Sequence, residues 1–292
     1  MNSFTIKDLE NLSGIKAHTL RIWEQRYSFL KPERTYTNIR YYSTHELKVI
    51  LNIALLNKYG FKVSHIDKMS DAERNEHVLA LANTDAQLER MVNELVKSMV
   101  DIDMEAFENV LDTYIRQRGV ERTITQIIFP FLEKVGILWL TNHINPAQEH
   151  LVSNIIRQKL IVGIESLKSP ASIKKSLLLF LPEGEHHELG LLFMHYLLKS
   201  HGVKVVYLGA NIPLADVEYV VKLQKPDFLY THLTTVARSF SFEKFLVSIT
   251  KAFPKLTLVV SGQLTNTYEK KIKSSVIFKK TFSEVLGFVN SL

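Results

Sequence analysis

Two spacings of apolar residues run along the chain. Up to about residue 168 they recur every three or four positions, and beyond about residue 171 short apolar runs alternate with helical stretches. Ile6, Leu9 and Leu12 follow Thr5, a residue suited to cap a helix, and Gly14 stands where that helix would stop. A second short helix is expected from near Lys16 through Tyr27, with Leu20 and Trp23 turned inward. After Pro32, the segment Glu33 to Ser43 is rich in turn formers and is expected as a β-hairpin, and Ser43 caps a helix containing Leu47, Ile50, Leu51 and Ala54. Further helices are expected over Asp71 to Ala82, Ala86 to Val100, Met104 to Gln117, Glu121 to Leu140 and Pro146 to Leu167. Stripes such as Leu88, Met91, Val92, Leu95 and Met99 mark these as a bundle with a common core.

The last part reads differently. Strand-like runs at Ser176 to Leu181, Val203 to Leu208, Phe228 to Thr231, Leu256 to Ser261 and Val276 to Phe278 alternate with helical stretches. Those stretches are Glu188 to His201, Pro213 to Leu223, Phe240 to Phe253, Asn266 to Lys273 and Phe282 to Asn290. Regular alternation of this kind predicts a parallel, doubly wound sheet. The expected fold class is therefore multidomain, α and α/β, with modules at residues 1–72, 73–170 and 171–292.

Charge sharpens this division. Residues 1–70 hold 11 Lys and Arg against 6 Asp and Glu, residues 71–170 hold 10 against 15, and residues 171–292 hold 15 against 9. A basic first module suits a polyanion, which the acidic middle would repel. The absence of cysteine excludes disulfides and thiolate metal sites. The first residues lack an export signal, and no apolar run approaches the roughly 20 residues of a membrane span, so a cytoplasmic protein without a membrane partner is expected.

Two short helices joined by a glycine-containing turn form the helix-turn-helix pattern. Its second helix offers Lys16, His18, Arg21 and Arg26 to a groove or to phosphates. In the bundle, Trp139 precedes Glu149 and His150 by nine intervening residues, with Asn142, Asn145 and Pro146 breaking the chain between them. An aromatic face and two polar groups could converge there on the mouth of the bundle. Equally, Trp139 could be core and Glu149 could simply favour a helix N-terminus. In the last module Glu185, His187 and Gly190 lie on the first strand-to-helix loop at the spacing E-x-H-x-x-G. There a neutral imidazole can ligate a metal while the carboxylate orients its other nitrogen. There is no second ligand cluster, and a lone loop histidine is more often solvated than ligating, but one histidine suffices when the metal arrives inside a macrocycle.

Thr19 to Tyr27 reads Thr-Leu-Arg-x-Trp-Glu-x-Arg-Tyr, and residues 3–70 closely resemble the MerR family of winged-helix regulators. The resemblance implies that the second helix enters the major groove and the wing contacts phosphates, which assigns Arg21, Arg26, Arg34, Arg40 and Tyr41 to double-stranded operator DNA. The last module resembles the cobalamin-binding, Rossmann-like domain, whose Asp/Glu-x-His-x-x-Gly loop supplies the lower cobalt ligand; by this likeness the metal ligand is His187, backed by Glu185. The preceding helices resemble the bundle that caps the cofactor's upper face, and Trp139, Glu149 and His150 match the Trp-x9-Glu-His signature of light-sensing, adenosylcobalamin-dependent MerR repressors.

The resemblance implies a cofactor, adenosylcobalamin, which in darkness bridges bundle and α/β domain and favours a homo-oligomer, dimer or tetramer, that holds DNA until light breaks the cobalt–carbon bond. In the photoreceptors the counterpart of Trp139 packs near the adenosyl group, and that of His150 can take over cobalt coordination after photolysis. Two later segments depart from the pattern. The family's Ser-x-Leu is here Thr231-His232-Leu233, and its Gly-Gly, which leaves room for the cofactor's tail, is Ser261-Gly262-Gln263. Thr231 keeps a hydroxyl, Ser261 adds bulk, and His186 places a second imidazole beside His187. Two other functions compete with the sensor: a regulator that has lost the cofactor and answers another ligand or protein partner, and a methyl-transfer carrier. An enzyme is not expected, because the chain shows no nucleophilic triad, phosphate loop or paired carboxylates.

Overall fold

The computed structural model describes residues 3–140, 144–168, 172–234, 240–270 and 274–292, the side chains of 137, 139 and 140 excepted. The chain divides into two compact units, Met1–Ile155 and Ile156–Leu292.

Helix starts in the first unit are fixed by small polar side chains that satisfy open backbone N–H groups. Thr5 and Asp8 form a reciprocal capping box at α1 (Ile6–Ser13), as do Ser43 and Glu46 at α3 (Thr44–Lys58) and Ser70 and Glu73 at α5 (Asp71–Leu79). Gly14, at φ 74°, ends α1 and turns the chain toward α2 (Ala17–Arg26). Leu9, Leu12, Leu20 and Trp23 are buried in the helix-turn-helix core. The expected hairpin forms from β1 (Glu33–Arg34) and β2 (Arg40–Tyr41), antiparallel with Arg34 opposite Arg40. A bridge from Phe4 to Tyr42 ties the start of the chain to the base of this wing.

After α4 (Val63–Ile66), α6 (Thr84–Asp101), α7 (Met104–Thr123) and α8 (Phe129–Leu140) make the bundle, and α9 (Pro146–Ser166) begins in this unit. Phe107 and Phe131 meet edge to face at 5.2 Å within a core that includes Val92, Leu95 and Met99. The break expected after Gln117 falls at Gly119, whose backbone is non-helical (φ 80°, ψ 168°) and kinks α7, and one π-helical turn follows over Ile124–Ile128. Only glycine interrupts the sequence there, and the Thr123 hydroxyl donates to the Gly119 carbonyl at 2.7 Å. The structure corrects one expected boundary. Helix α5 ends at Leu79, short of the expected Ala82, because Asn83 caps α6.

The second unit is a five-stranded, wholly parallel sheet of β3 (Ile173–Pro182), β4 (Val203–Ile212), β5 (Phe228–His232), β6 (Thr257–Ser261) and β7 (Val276–Lys279). Its strand order is β4-β3-β5-β6-β7, so the chain reverses direction across the sheet between β4 and β5. Alternation along β3 separates two cores. Leu177, Leu179 and Leu181 pack with residues of α10 (Leu189–Ser200) and α14 (Phe282–Asn290), whereas Leu178 and Phe180 pack with residues of α11 (Leu214–Gln224) and α12 (Phe242–Ala252). The helix expected from Asn266 to Lys273 is not found as such. Within the described residues only the single turn α13 (Leu264–Thr267) forms before Tyr268 becomes extended, its ring against Phe242 and Phe278; residues 271–273 lie outside the description. Among the described residues no helix is long and apolar enough to cross a membrane.

Candidate nucleic-acid interface and cofactor loop

On α2, burying Leu20 and Trp23 turns His18, Arg21 and Arg26 outward, with Ile22 exposed among them. Lys16 directly precedes the helix and reaches Glu10 at 3.6 Å. The wing arginines are differently placed. Glu24 of α2 holds both, accepting from Arg34 Nη2 at 2.8 Å and from Arg40 Nε at 2.7 Å. Arg34 also donates through Nη1 to Asn38 in the wing's turn, so it is a strut of the hairpin, while Arg40 has its Nη groups left to present. The Tyr41 hydroxyl donates to Glu33 across the same hairpin. Sequence spacing did not single out Glu24, although a carboxylate one turn from exposed arginines on a recognition helix is itself a signal.

Trp139 falls in the last turn of α8, and its side chain is outside the described residues, as is all of Asn142. Glu149 and His150 stand in the first turn of α9. Glu149 accepts from the Ser153 hydroxyl and pairs with His150 Nδ1 at 3.0 Å, and the His150 ring is exposed.

The loop between β3 and α10 is held from both sides. Asn211, at the end of β4 and at φ 58°, donates its N–H to the Glu185 carbonyl at 3.0 Å, and its side-chain oxygen accepts from Gly184 N–H at 2.9 Å. Glu185 is fully buried. Its Oε1 accepts from the backbone N–H of His186 and of His187, both at 2.8 Å, and from His187 Nδ1 at 2.6 Å. An ionised Glu185 can only accept, so Nδ1 donates to it, and in the neutral ring this leaves the lone pair on Nε2. His186 gives only its backbone to this arrangement, which distinguishes the two adjacent imidazoles. The second oxygen of Glu185, Oε2, is buried without a hydrogen-bond partner.

Gly190 lies in the first turn of α10. A Cβ there would meet the His232 ring, 2.3 Å from Cδ2 and 2.4 Å from Nε2. His232 Nδ1 lies 2.8 Å from Ser261 Oγ, which in turn is 2.5 Å from the Tyr230 hydroxyl. Burial pushes the His232 imidazole down to about 4 and the Tyr230 phenol up to about 12. Thr231, next along β5, belongs by alternation to the other face of the sheet, and its hydroxyl is buried without a partner. Gly262, at φ 95°, packs so closely on Leu233 that a Cβ would sit 2.3 Å from the Leu233 carbonyl oxygen. The structure thus brings Glu185, His187, Gly190, Ser261 and Gly262 to one edge of the sheet and sets His232 among them. Sequence reasoning quoted His232 only as the middle of a tripeptide, yet its period-two spacing from Tyr230 was the signal that it shares that residue's face.

Beside the loop, Glu188 accepts from Arg157 Nε of α9 at 2.9 Å and from the Tyr207 hydroxyl at 2.7 Å, and Tyr207 stacks on His195 at 5.0 Å. Burial keeps the His195 imidazole down near 4 and, with Glu188 as partner, pushes the Tyr207 phenol far up. A cleft of about 480 Å³ at the same sheet edge is lined by Glu183, Gly184, Leu214, Phe240 and Lys244. Neither Glu185 nor His187 lines it.

Comparison with known proteins agrees with this layout. Residues 4–73 match the MerR HTH family of regulatory proteins, and residues 91–162 match the B12 binding domain. The HTH-type transcriptional repressors CarA and CarH of Myxococcus xanthus are 29% and 27% identical to the chain, covering 92% and 91% of it and 90% and 91% of their own lengths. The monomethylamine corrinoid protein of Methanosarcina barkeri superimposes with a TM-score of 0.55 at 13% identity, over 70% of this chain and 99% of its own, a likeness of fold. The chain therefore joins a MerR-type helix-turn-helix domain at its N-terminal end to a B12-binding domain, and is a distant relative of the CarA and CarH repressors.

Proposed function

We propose that this chain is a transcriptional repressor, not an enzyme, whose assembly and grip on operator DNA are switched by adenosylcobalamin and light. The observation that carries the reading is the Glu185–His187 pair: a buried carboxylate fixes Nδ1 and sets the Nε2 lone pair on a strand-to-helix loop. That is the donor set a macrocycle-held metal needs from a protein, one oriented imidazole. His187 would hold the cobalt and Glu185 would orient it, with Gly190, Ser261 and Gly262 at the same sheet edge and Thr231 on the opposite face of β5. When bound, adenosylcobalamin supplies a light-cleavable cobalt–carbon bond. The roles of Trp139, Glu149 and His150 rest on the Trp-x9-Glu-His spacing. Lys16, His18, Arg21, Arg26, Arg40 and Tyr41 are the groups proposed to meet DNA, with Arg34 bracing the wing. Assembly into a dimer or tetramer, and a cytoplasmic location, follow from the same reading.

A second reading is a regulator that keeps the fold without the cofactor, and one observation favours it: the His232 ring in the cradle over Gly190. A mobility-shift titration with an operator fragment separates the two. With adenosylcobalamin in darkness the complex is expected to form, and illumination is expected to release the DNA. Binding indifferent to both cofactor and light contradicts the switch and leaves the second reading.

A further inference from the structure

Cobalamin carries a nucleotide on its lower face. Where a protein imidazole takes the lower position on cobalt, the nucleotide base must leave the metal and be housed within reach of its tether. Beside His187, on the α10 side of the sheet edge, the chain itself takes up the room. Gly190 lies three residues beyond His187, and the His232 ring stands where its side chain would be, 2.3 Å from an ideal Cβ position. Ser261 Oγ, 2.8 Å from His232 Nδ1, steadies the ring from its other side. The neighbouring backbone is already close-packed, since a Cβ on Gly262 would meet the main chain of Leu233. A single side chain is thus the movable part of this corner.

We propose that His232 determines which corrinoids the loop accepts: by filling the space beside Gly190 it tilts the site toward those that lack a lower nucleotide. This rests on the corrinoid reading given above. Adenosylcobalamin binds only in the fraction of molecules whose His232 ring has swung out, so its apparent affinity falls by that fraction. A corrinoid without the nucleotide needs no such movement. Burial keeps the ring uncharged at neutral pH, so it packs in the corner and does not seek water.

The test is a pair of titrations in darkness on the full chain, with adenosylcobalamin and with adenosylcobinamide, which has no nucleotide, for the wild type, His232→Ala and His232→Ser. Replacing the ring is expected to tighten adenosylcobalamin binding about tenfold while adenosylcobinamide stays within about twofold. His232→Ser keeps a polar partner for Ser261 and carries the comparison if the alanine variant folds poorly. Adenosylcobalamin affinity unchanged or weakened in the variants would overturn the proposal, as for a nucleotide housed in the cleft lined by Gly184 and Lys244. An equal gain for both corrinoids would also overturn it, because that marks a general loosening of the loop. If none of the three proteins binds either corrinoid, the corrinoid reading fails and this inference fails with it.

Discussion

At the scale of single residues, a half-buried imidazole makes the second unit's stability depend on acid. His195 stacks on Tyr207 and is held near 4, below its ordinary 6.5. The folded state therefore keeps the ring neutral where the unfolded chain takes up a proton. Its contribution is fully present above pH 6.5 and is lost as pH falls toward 4. His195→Phe keeps an aromatic partner for Tyr207 and removes the titration, so denaturant unfolding of the variant should lose about 2 kcal/mol less than wild type between those limits, solvent screening included. The His187 loop was legible at this scale because E-x-H-x-x-G is local: two residues separate the carboxylate from its imidazole, and the contact is 2.6 Å. His232 was not, since its meeting with Gly190 joins the end of β5 to the start of α10, 42 positions away in the chain. The Glu24 clamp on Arg34 and Arg40 escaped for the same reason, as it depends on how the wing folds back upon α2.

At the scale of elements, apolar periodicity and caps placed almost every helix and strand, and the misses have physical causes. The break expected after Gln117 falls at Gly119, whose positive φ only glycine adopts readily, whereas α5 stops short of Ala82 because Asn83 caps α6. Among the described residues between Ser261 and β7 only α13 is helical, and Tyr268 turns extended to pack against Phe242 and Phe278. One polar residue inside the bundle has a measurable consequence. Lys134 of α8 donates to Asn93 of α6 at 2.8 Å, and burial pushes its ammonium down from 10.5 to about 8. Below pH 8 both folded and unfolded chains carry the proton, and the desolvation penalty is fully felt. Between 8 and 10.5 the folded state sheds the proton first, so stability rises with pH. Lys134→Met should stabilise the first unit at pH 7 by up to about 3 kcal/mol and flatten that rise, as followed by denaturant unfolding across the range.

At the scale of the whole molecule, a basic helix-turn-helix, a helical B12-binding segment and a parallel sheet with an imidazole on its edge loop lie on one chain. The order of these parts was legible from the change in apolar spacing and the sign of the charge along the sequence. Whether copies assemble was not, because subunit surfaces leave no periodic mark in a single chain. Arg21 projects outward from α2 and Arg40 retains its Nη groups beyond the Glu24 clamp. Arg21→Ala and Arg40→Ala are each expected to weaken operator binding and to reduce the dependence of log affinity on log salt by about one. Fluorescence anisotropy at several salt concentrations measures both, and unchanged binding in the two variants would contradict the contact assignment. The most direct test of the central claim is an absorption spectrum of protein mixed with adenosylcobalamin in darkness and then desalted. Wild type should keep the bound corrinoid's visible bands and His187→Ala should lose them, whereas a colourless wild type, or bands equally strong in both, would contradict the assignment of His187 to cobalt.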